Sequence, residues 1–138
     1  MKLSARERYG LRAMVEFAKR YGSGPVTLGE VAAAQDMSLS YLEQIVAPLR
    51  RAGLLDSARG ARGGYVLARA PEEITVADVL RVLEGTIFPL SCVGEEETCA
   101  PCAREAVCTA RTVWQKVRDD LLLTLDSTTL ADLAARPV

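Results

Sequence analysis

Histidine is absent from the 138 residues. That gap excludes Ser/His/Asp and Cys/His nucleophilic triads, the HExxH zinc-protease helix and every histidine metal ligand. No run approaches the roughly 20 apolar residues that a membrane-spanning helix needs. The opening Met1-Lys2-Leu3-Ser4-Ala5-Arg6-Glu7-Arg8 mixes charges at once and lacks the pattern of a secretory leader, so a cytoplasmic protein is expected. Internal repeats and low-complexity segments are also missing. What remains is ordinary globular material, 49% hydrophobic and 25% charged, enough for one domain with a core.

The net charge of −1 conceals an asymmetry. Residues 1–70 carry 11 Lys/Arg against 6 Asp/Glu, whereas residues 71–138 carry 6 against 12. The first half is therefore the candidate for facing a polyanion. All four cysteines lie in the second half, between Cys92 and Cys108. Without a secretory signal, such close-set cysteines point to metal ligation or redox chemistry before structural disulfides.

Residues 4–21 predict an amphipathic helix, with Tyr9, Ala13 and Phe17 in one row and Met14, Ala18 and Tyr21 beside it. Gly22-Ser23-Gly24-Pro25 ends it. Thr27 and Glu30 fit a capping box opening a short helix to about Gln35, and Ser40 to Glu43 fits a second box. The helix that follows buries Leu42, Ile45, Val46 and Leu49, contains an awkward Pro48, and should stop at Gly53. Two helices joined by a tight turn form a helix-turn-helix candidate. Leu54–Ala58 and Tyr65–Ala68 read as two short strands around the glycine-rich, basic tip Arg59-Gly60-Ala61-Arg62-Gly63-Gly64. A helix over Glu72–Glu84 turns Val76, Val79, Leu80 and Leu83 inward. A long helix from about Ala103 to Leu125 follows, with Val107, Ala110, Trp114, Val117 and Leu121 as a seam suited to pairing with a second copy. Asp126-Ser127-Thr128 should cap a last short helix ending near Ala135.

The fold expected is mainly α: a winged helix-turn-helix with a two-stranded β wing and a long C-terminal dimerisation helix. Residues 1–85 form the DNA-binding unit, 86–108 a cysteine-containing cofactor loop, and 103–138 the dimerisation and C-terminal helices. In such an arrangement the second helix of the motif enters the major groove by its N-terminal end. Ser38, Ser40, Tyr41 and Gln44 occupy that end, and Gln44 can make the paired hydrogen bonds that select adenine. Arg59 and Arg62 at the wing tip suit a narrow minor groove. Arg6, Arg8, Arg50 and Arg51 suit phosphates, which position without specifying sequence. The expected partner is double-stranded DNA.

The cysteines follow the spacing Cys92-x6-Cys99-x2-Cys102-x5-Cys108. Four thiolates without histidine suit an iron–sulfur cluster or tetrahedral zinc, and the central CxxC also permits a reversible disulfide. Arg104 and Arg111 nearby favour thiolates. Glu95-Glu96-Glu97 reads as a solvated tip, with one carboxylate available as an oxygen ligand.

The runs Ser38-Leu39-Ser40-Tyr41-Leu42-Glu43-Gln44-Ile45, Leu49-Arg50-Arg51-Ala52-Gly53-Leu54-Leu55 and Ser57-Ala58-Arg59-Gly60-Ala61-Arg62-Gly63-Gly64-Tyr65 resemble the IscR/NsrR family of winged-helix repressors. The resemblance extends through Met1–Ser4, the cysteine segment and Thr128–Leu133, essentially the whole chain. It implies a bacterial homodimer on a pseudo-palindromic operator, with crossed C-terminal helices and, in many members, an iron–sulfur cluster at the cysteine loop. Other members sense through thiols or a protein partner. The family pattern has three cysteines and a variable fourth ligand, either a histidine after the last cysteine or an acidic residue in the first helix. Here Arg111 and Arg8 stand at those positions, and neither can ligate. Cys92 and Cys108 match the outer two cysteines of that pattern, and Cys99 and Cys102 each fit the middle place from one side. The simplest arrangement has both ligate, an all-cysteine site of Cys92, Cys99, Cys102 and Cys108 with a [2Fe–2S] cluster preferred over [4Fe–4S]. Zinc or no cofactor is the alternative. A sequence-specific DNA-binding regulator sensing redox poise, nitric oxide or iron–sulfur status is therefore expected. A thiol or zinc repressor, or an iron–sulfur carrier of another class, is the rival. An enzyme is not expected, because no general-base constellation is visible.

Overall fold

The structure is a computed structural model that describes residues 3–60, 63–85, 87, 91–93 and 102–136. Helix α1, Ala5–Lys19, starts where Ser4 and Glu7 form a capping box, the Ser4 amide donating to the Glu7 carboxylate at 2.7 Å. Thr27 and Glu30 start α2, Leu28–Gln35, in the same way, and Asp36 closes it in the left-handed region. Helix α3 runs Leu39–Arg51 and ends before Gly53, whose φ of +78° suits glycine. Pro48 sits within it. Strands β1, Leu55–Ala58, and β2, Gly64–Leu67, pair antiparallel with Leu55 opposite Leu67 and Ala58 opposite Gly64. Val26, just before α2, adds an isolated antiparallel bridge to Tyr65. After a 3-10 turn at Pro71–Glu73 come α4, Val76–Glu84, and a 3-10 turn at Ser91–Val93. Helices α5, Arg111–Ser127, and α6, Leu130–Ala134, complete the order. The expected winged helix-turn-helix, mainly helical with a two-stranded wing, is present.

One core joins these elements. Met14 and Phe17 of α1, Leu42, Ile45, Val46 and Leu49 of α3, Val79 and Leu83 of α4, Leu55 and Leu67 of the wing, and Leu130 of α6 are all buried together. The same periodicity that marks α1 and α3 in the sequence thus fills one interior. Tyr21, expected on the inner stripe of α1, lies past the helix end and is 49% exposed. A second cluster packs Val76, Ala77, Leu80 and Ile87 against Leu121, Leu122 and Leu125 of α5. Helix α4 therefore serves both interiors. Two carboxylates are buried but satisfied: Glu7 within its capping box, and Glu16 by Lys19, Arg20 and Gln35.

Four local expectations need correction. Ser40 does not cap the helix, and no box forms there. Ser38 is extended and its Oγ accepts the Tyr41 amide at 3.1 Å, which places Ser40 inside the first turn. The Glu72–Glu84 helix is split because Ile74 is extended and buried, its carbonyl accepting the Leu130 amide, while Thr75 bridges Thr129. Thr75 then caps α4 with Asp78. The long helix begins at Arg111, not Ala103. Residues 103–107 form turns closed by three-residue bonds, and Val107 is 69% exposed, outside the clusters formed by the described residues. Asp126-Ser127-Thr128 closes α5 instead of capping α6. The Ser127 and Thr128 hydroxyls donate back to the Leu123 and Thr124 carbonyls, and Thr129 with Asp132 caps α6.

Candidate functional site

Helix α3 buries one side in the core and exposes the other. At 3.6 residues per turn, Ser40, Gln44, Ala47 and Arg51 fall on a line opposite Leu42, Ile45 and Leu49, and all four are exposed. Ser38 and Arg50 are exposed as well, and Arg59 leads outward from the end of β1. Arg6 and Arg8 are exposed on α1. Arg62 lies outside the described residues. Ser38 has a structural duty as the cap, so its hydroxyl oxygen already accepts one bond from the helix. Leu28, Glu43, Val46, Ala47, Arg50, Arg51 and Tyr65 line a groove of about 430 Å³ between α2, α3 and the wing. Two guanidinium groups thus lie beside a concave surface bounded by α3 and the strands.

Tyr41 is half-buried, and its ring meets Tyr9 of α1 edge-on, with centroids 5.8 Å apart and planes at 86°. Arg12 stacks its guanidinium 5.1 Å from the Tyr9 ring centre. The same Arg12 donates from Nε to Gln35 Oε1 at 2.9 Å and from Nη2 to the Gln35 carbonyl. Gln35 in turn donates to Glu16 at 2.8 Å. Helix α1 therefore fixes both helices of the motif, aromatic edge on α3 and guanidinium on the end of α2. Sequence reasoning missed this brace. Its contacts between helices join residues 19–32 apart in sequence, and only Arg12 and Gln35, polar at the rim of apolar faces, hinted at it.

In the cysteine segment, Cys92 is half-buried within the Ser91–Val93 turn, Cys108 is half-buried and Cys102 is exposed; these three thiols are free. Cys99 and Glu95–Glu97 lie outside the described residues. Among the described residues no three His, Cys, Asp or Glu side chains gather closely enough to hold a metal ion. Four thiolates have the right chemistry for a cluster, yet the described residues do not assemble a ligand shell. Arg111, expected to favour thiolates, pairs with Glu105 at 2.8 Å, and Arg104 is exposed. Unforeseen in the sequence, Arg118 of α5 donates to the Val93 carbonyl at 3.2 Å while gripping Asp119, which holds the Cys92 turn against α5. Trp114 is 42% exposed and Leu123 69%, nine residues and thus about half a turn apart, so α5 keeps apolar side chains in solvent on more than one face.

A sequence model of the Rrf2 family, named for an iron-dependent transcriptional regulator, matches residues 3–136. The HTH-type transcriptional regulator CymR of Bacillus subtilis (strain 168) is 48% identical over 135 residues, 98% of this chain and 91% of the relative. The HTH-type transcriptional regulator IscR of Aliivibrio salmonicida (strain LFI1238) is 36% identical over 96% of this chain and 77% of the relative. The solved structure of CymR, the global cysteine regulator of B. subtilis, superposes with a TM-score of 0.86 at 43% identity, covering 100% of this chain and 99% of that one. These relatives are named as transcription regulators, not as enzymes.

Proposed function

This chain belongs to the Rrf2 family of transcription regulators, and from that premise we propose that it is a homodimeric, cytoplasmic repressor. It reads a pseudo-palindromic operator with α3 and the wing and takes its signal at residues 92–108. The observation that carries the reading is the exposed polar and basic face of α3, with Gln44 at its centre and Arg50 and Arg51 at its end, beside the wing. Ser38, Ser40, Tyr41 and Gln44 are assigned to base edges and the adjoining backbone, Arg59 and Arg62 to the minor groove, and Arg50 and Arg51 to phosphates. Helix α5, on which Val113, Trp114 and Leu123 are exposed, is the element that meets the second copy, setting half-sites about 34–36 Å apart.

The test is binding of fluorescent duplexes selected from a random pool, followed from 50 to 200 mM salt. Gln44→Ala should cost about 1–3 kcal/mol and relax preference at one base. Arg50→Ala should weaken all duplexes alike and reduce the salt slope by about 1. Equal wild-type affinity for selected and scrambled duplexes would refute the assignment.

For the signal, the four-thiolate donor set supports cysteine ligation of an iron–sulfur cluster, [2Fe–2S] in preference to [4Fe–4S]. A second reading, thiol chemistry without a cluster, is favoured by the exposed Cys102 and by the central CxxC spacing. Zinc ligation is a third possibility for the same thiolates. In each case a change at Cys92 bears on α5, because its turn rests there. An absorption spectrum from 300 to 700 nm on anaerobically purified protein, with iron, sulfide and zinc assays on the same sample, separates them. Visible bands with stoichiometric sulfide support the cluster; a colourless protein after reconstitution rejects it.

A further inference from the structure

Leu39 is the first residue of α3 and is 47% exposed. The other large exposed apolar side chains lie on the N-terminal arm, at the end of α1, in the cysteine segment and on α5. Leu39 stands apart from them, between the exposed Ser38 and Ser40, at the end of the helix that faces DNA. Helix initiation does not require it. The hydrophobic staple positions, before the cap and at the fourth helical residue, are Met37 and Leu42, and both already pack on the core. Nor is Leu39 among the buried or partly buried side chains that form that core. An apolar side chain is thus presented to solvent amid hydroxyl and amide groups able to address base edges. The major groove offers such a side chain one apolar feature, the C5-methyl of thymine.

We propose that Leu39 is a specificity-determining residue that reads a thymine methyl group in each half-site. The inference rests on the assignment of α3 as the DNA-reading helix. Its test replaces thymine by deoxyuridine, one position at a time, in a duplex selected by the wild-type protein. This removes a methyl and leaves every hydrogen-bonding group in place. At one position per half-site the wild type should lose about fourfold in affinity, as expected for one buried methyl. Leu39→Ala should bind thymine and uracil at that position equally, while Leu39→Met retains the discrimination. The exposed site predicts an unchanged unfolding midpoint for Leu39→Ala, which separates recognition from folding. If every uridine is neutral to the wild type, or if Leu39→Ala discriminates as the wild type does, the proposal is overturned. If the wild type does not prefer its selected duplex over a scrambled one, the assignment of α3 itself fails, a distinct result.

Discussion

Replacing Gly64 by alanine should dislodge the wing, and its effect follows from the local geometry. Gly64 opens β2 just where Tyr65 exchanges two backbone hydrogen bonds with Val26, of 3.0 and 2.8 Å. A Cβ at Gly64 would lie 2.6 Å from the Val26 carbonyl carbon and 3.0 Å from the Thr27 amide nitrogen, with the Val26 oxygen closer still. Carbon atoms in contact sit about 3.5–4.0 Å apart, so the strand must retreat by about 1 Å. Both bridge bonds are then lost, at roughly 0.5–1.5 kcal/mol each. Alanine recovers about 0.4–1 kcal/mol by restricting the unfolded chain, leaving a net loss of roughly 1 kcal/mol and at most about 2.5. Urea unfolding followed by circular dichroism measures it. Gly29→Ala is the matched control, because its Cβ would meet only Thr27 Oγ1, at 3.9 Å, inside α2; there the same change should stabilise by up to about 1 kcal/mol. Operator affinity of Gly64→Ala should fall about tenfold, as for one lost groove contact of ~1–3 kcal/mol. A Gly64→Ala protein as stable as Gly29→Ala would refute the packing argument. Full operator affinity despite lost stability would refute the role of the wing.

Three further outcomes follow from local geometry. Ser38→Ala should cost about 1 kcal/mol in urea unfolding, whereas Ser38→Asp restores the cap but weakens operator binding by placing a negative charge toward phosphate; equal stability of Ser38→Ala and wild type would deny the cap its role. The Thr27 amide and hydroxyl hold the Glu30 carboxyl below its ordinary range, and the Thr129 amide and hydroxyl do the same for Asp132. Because the folded values are depressed, this stabilisation is present above the ordinary values of 4.5 for Glu30 and 3.8 for Asp132 and is lost as pH falls through the lower, folded ones. The urea midpoint between pH 6 and 3 should therefore fall less steeply in Glu30→Gln/Asp132→Asn, and parallel curves would contradict the shifts. Arg118→Met should release the Ser91–Val93 turn and raise alkylation of Cys92 roughly tenfold, the equivalent of one charge-assisted hydrogen bond. Mass spectrometry reads Cys92 against Cys102, and an unchanged ratio would show that the turn does not depend on Arg118.

The legible part of the fold is the part written in short range. Thr27 and Glu30 announce α2 because a capping box closes within one turn, and Leu42, Ile45 and Leu49 announce α3 because the helix repeat sets which side chains share a face. The glycine-rich tip separates two apolar runs that can only pair across it. The polar face of α3 was visible by subtraction, as what the buried face left over. Family resemblance added the pseudo-palindromic operator, the crossed C-terminal helices and the variable fourth ligand, which no periodicity displays.

Tertiary structure decided the rest, because the deciding contacts join residues with no local signature in common. Ile74 is drawn out of a helical pattern by the Leu130 amide, 56 residues later. Val107 matches the apolar repeat of α5 yet stays outside the helix and outside the clusters formed by the described residues. Tyr41 turns its ring to Tyr9, so part of its surface serves the brace, and Arg118 reaches the Cys92 turn across 25 residues. Sequence alone determined where backbone groups find partners within a turn and which side chains must leave water. Which partner they find, and which apolar surface remains uncovered, was settled only when distant elements met.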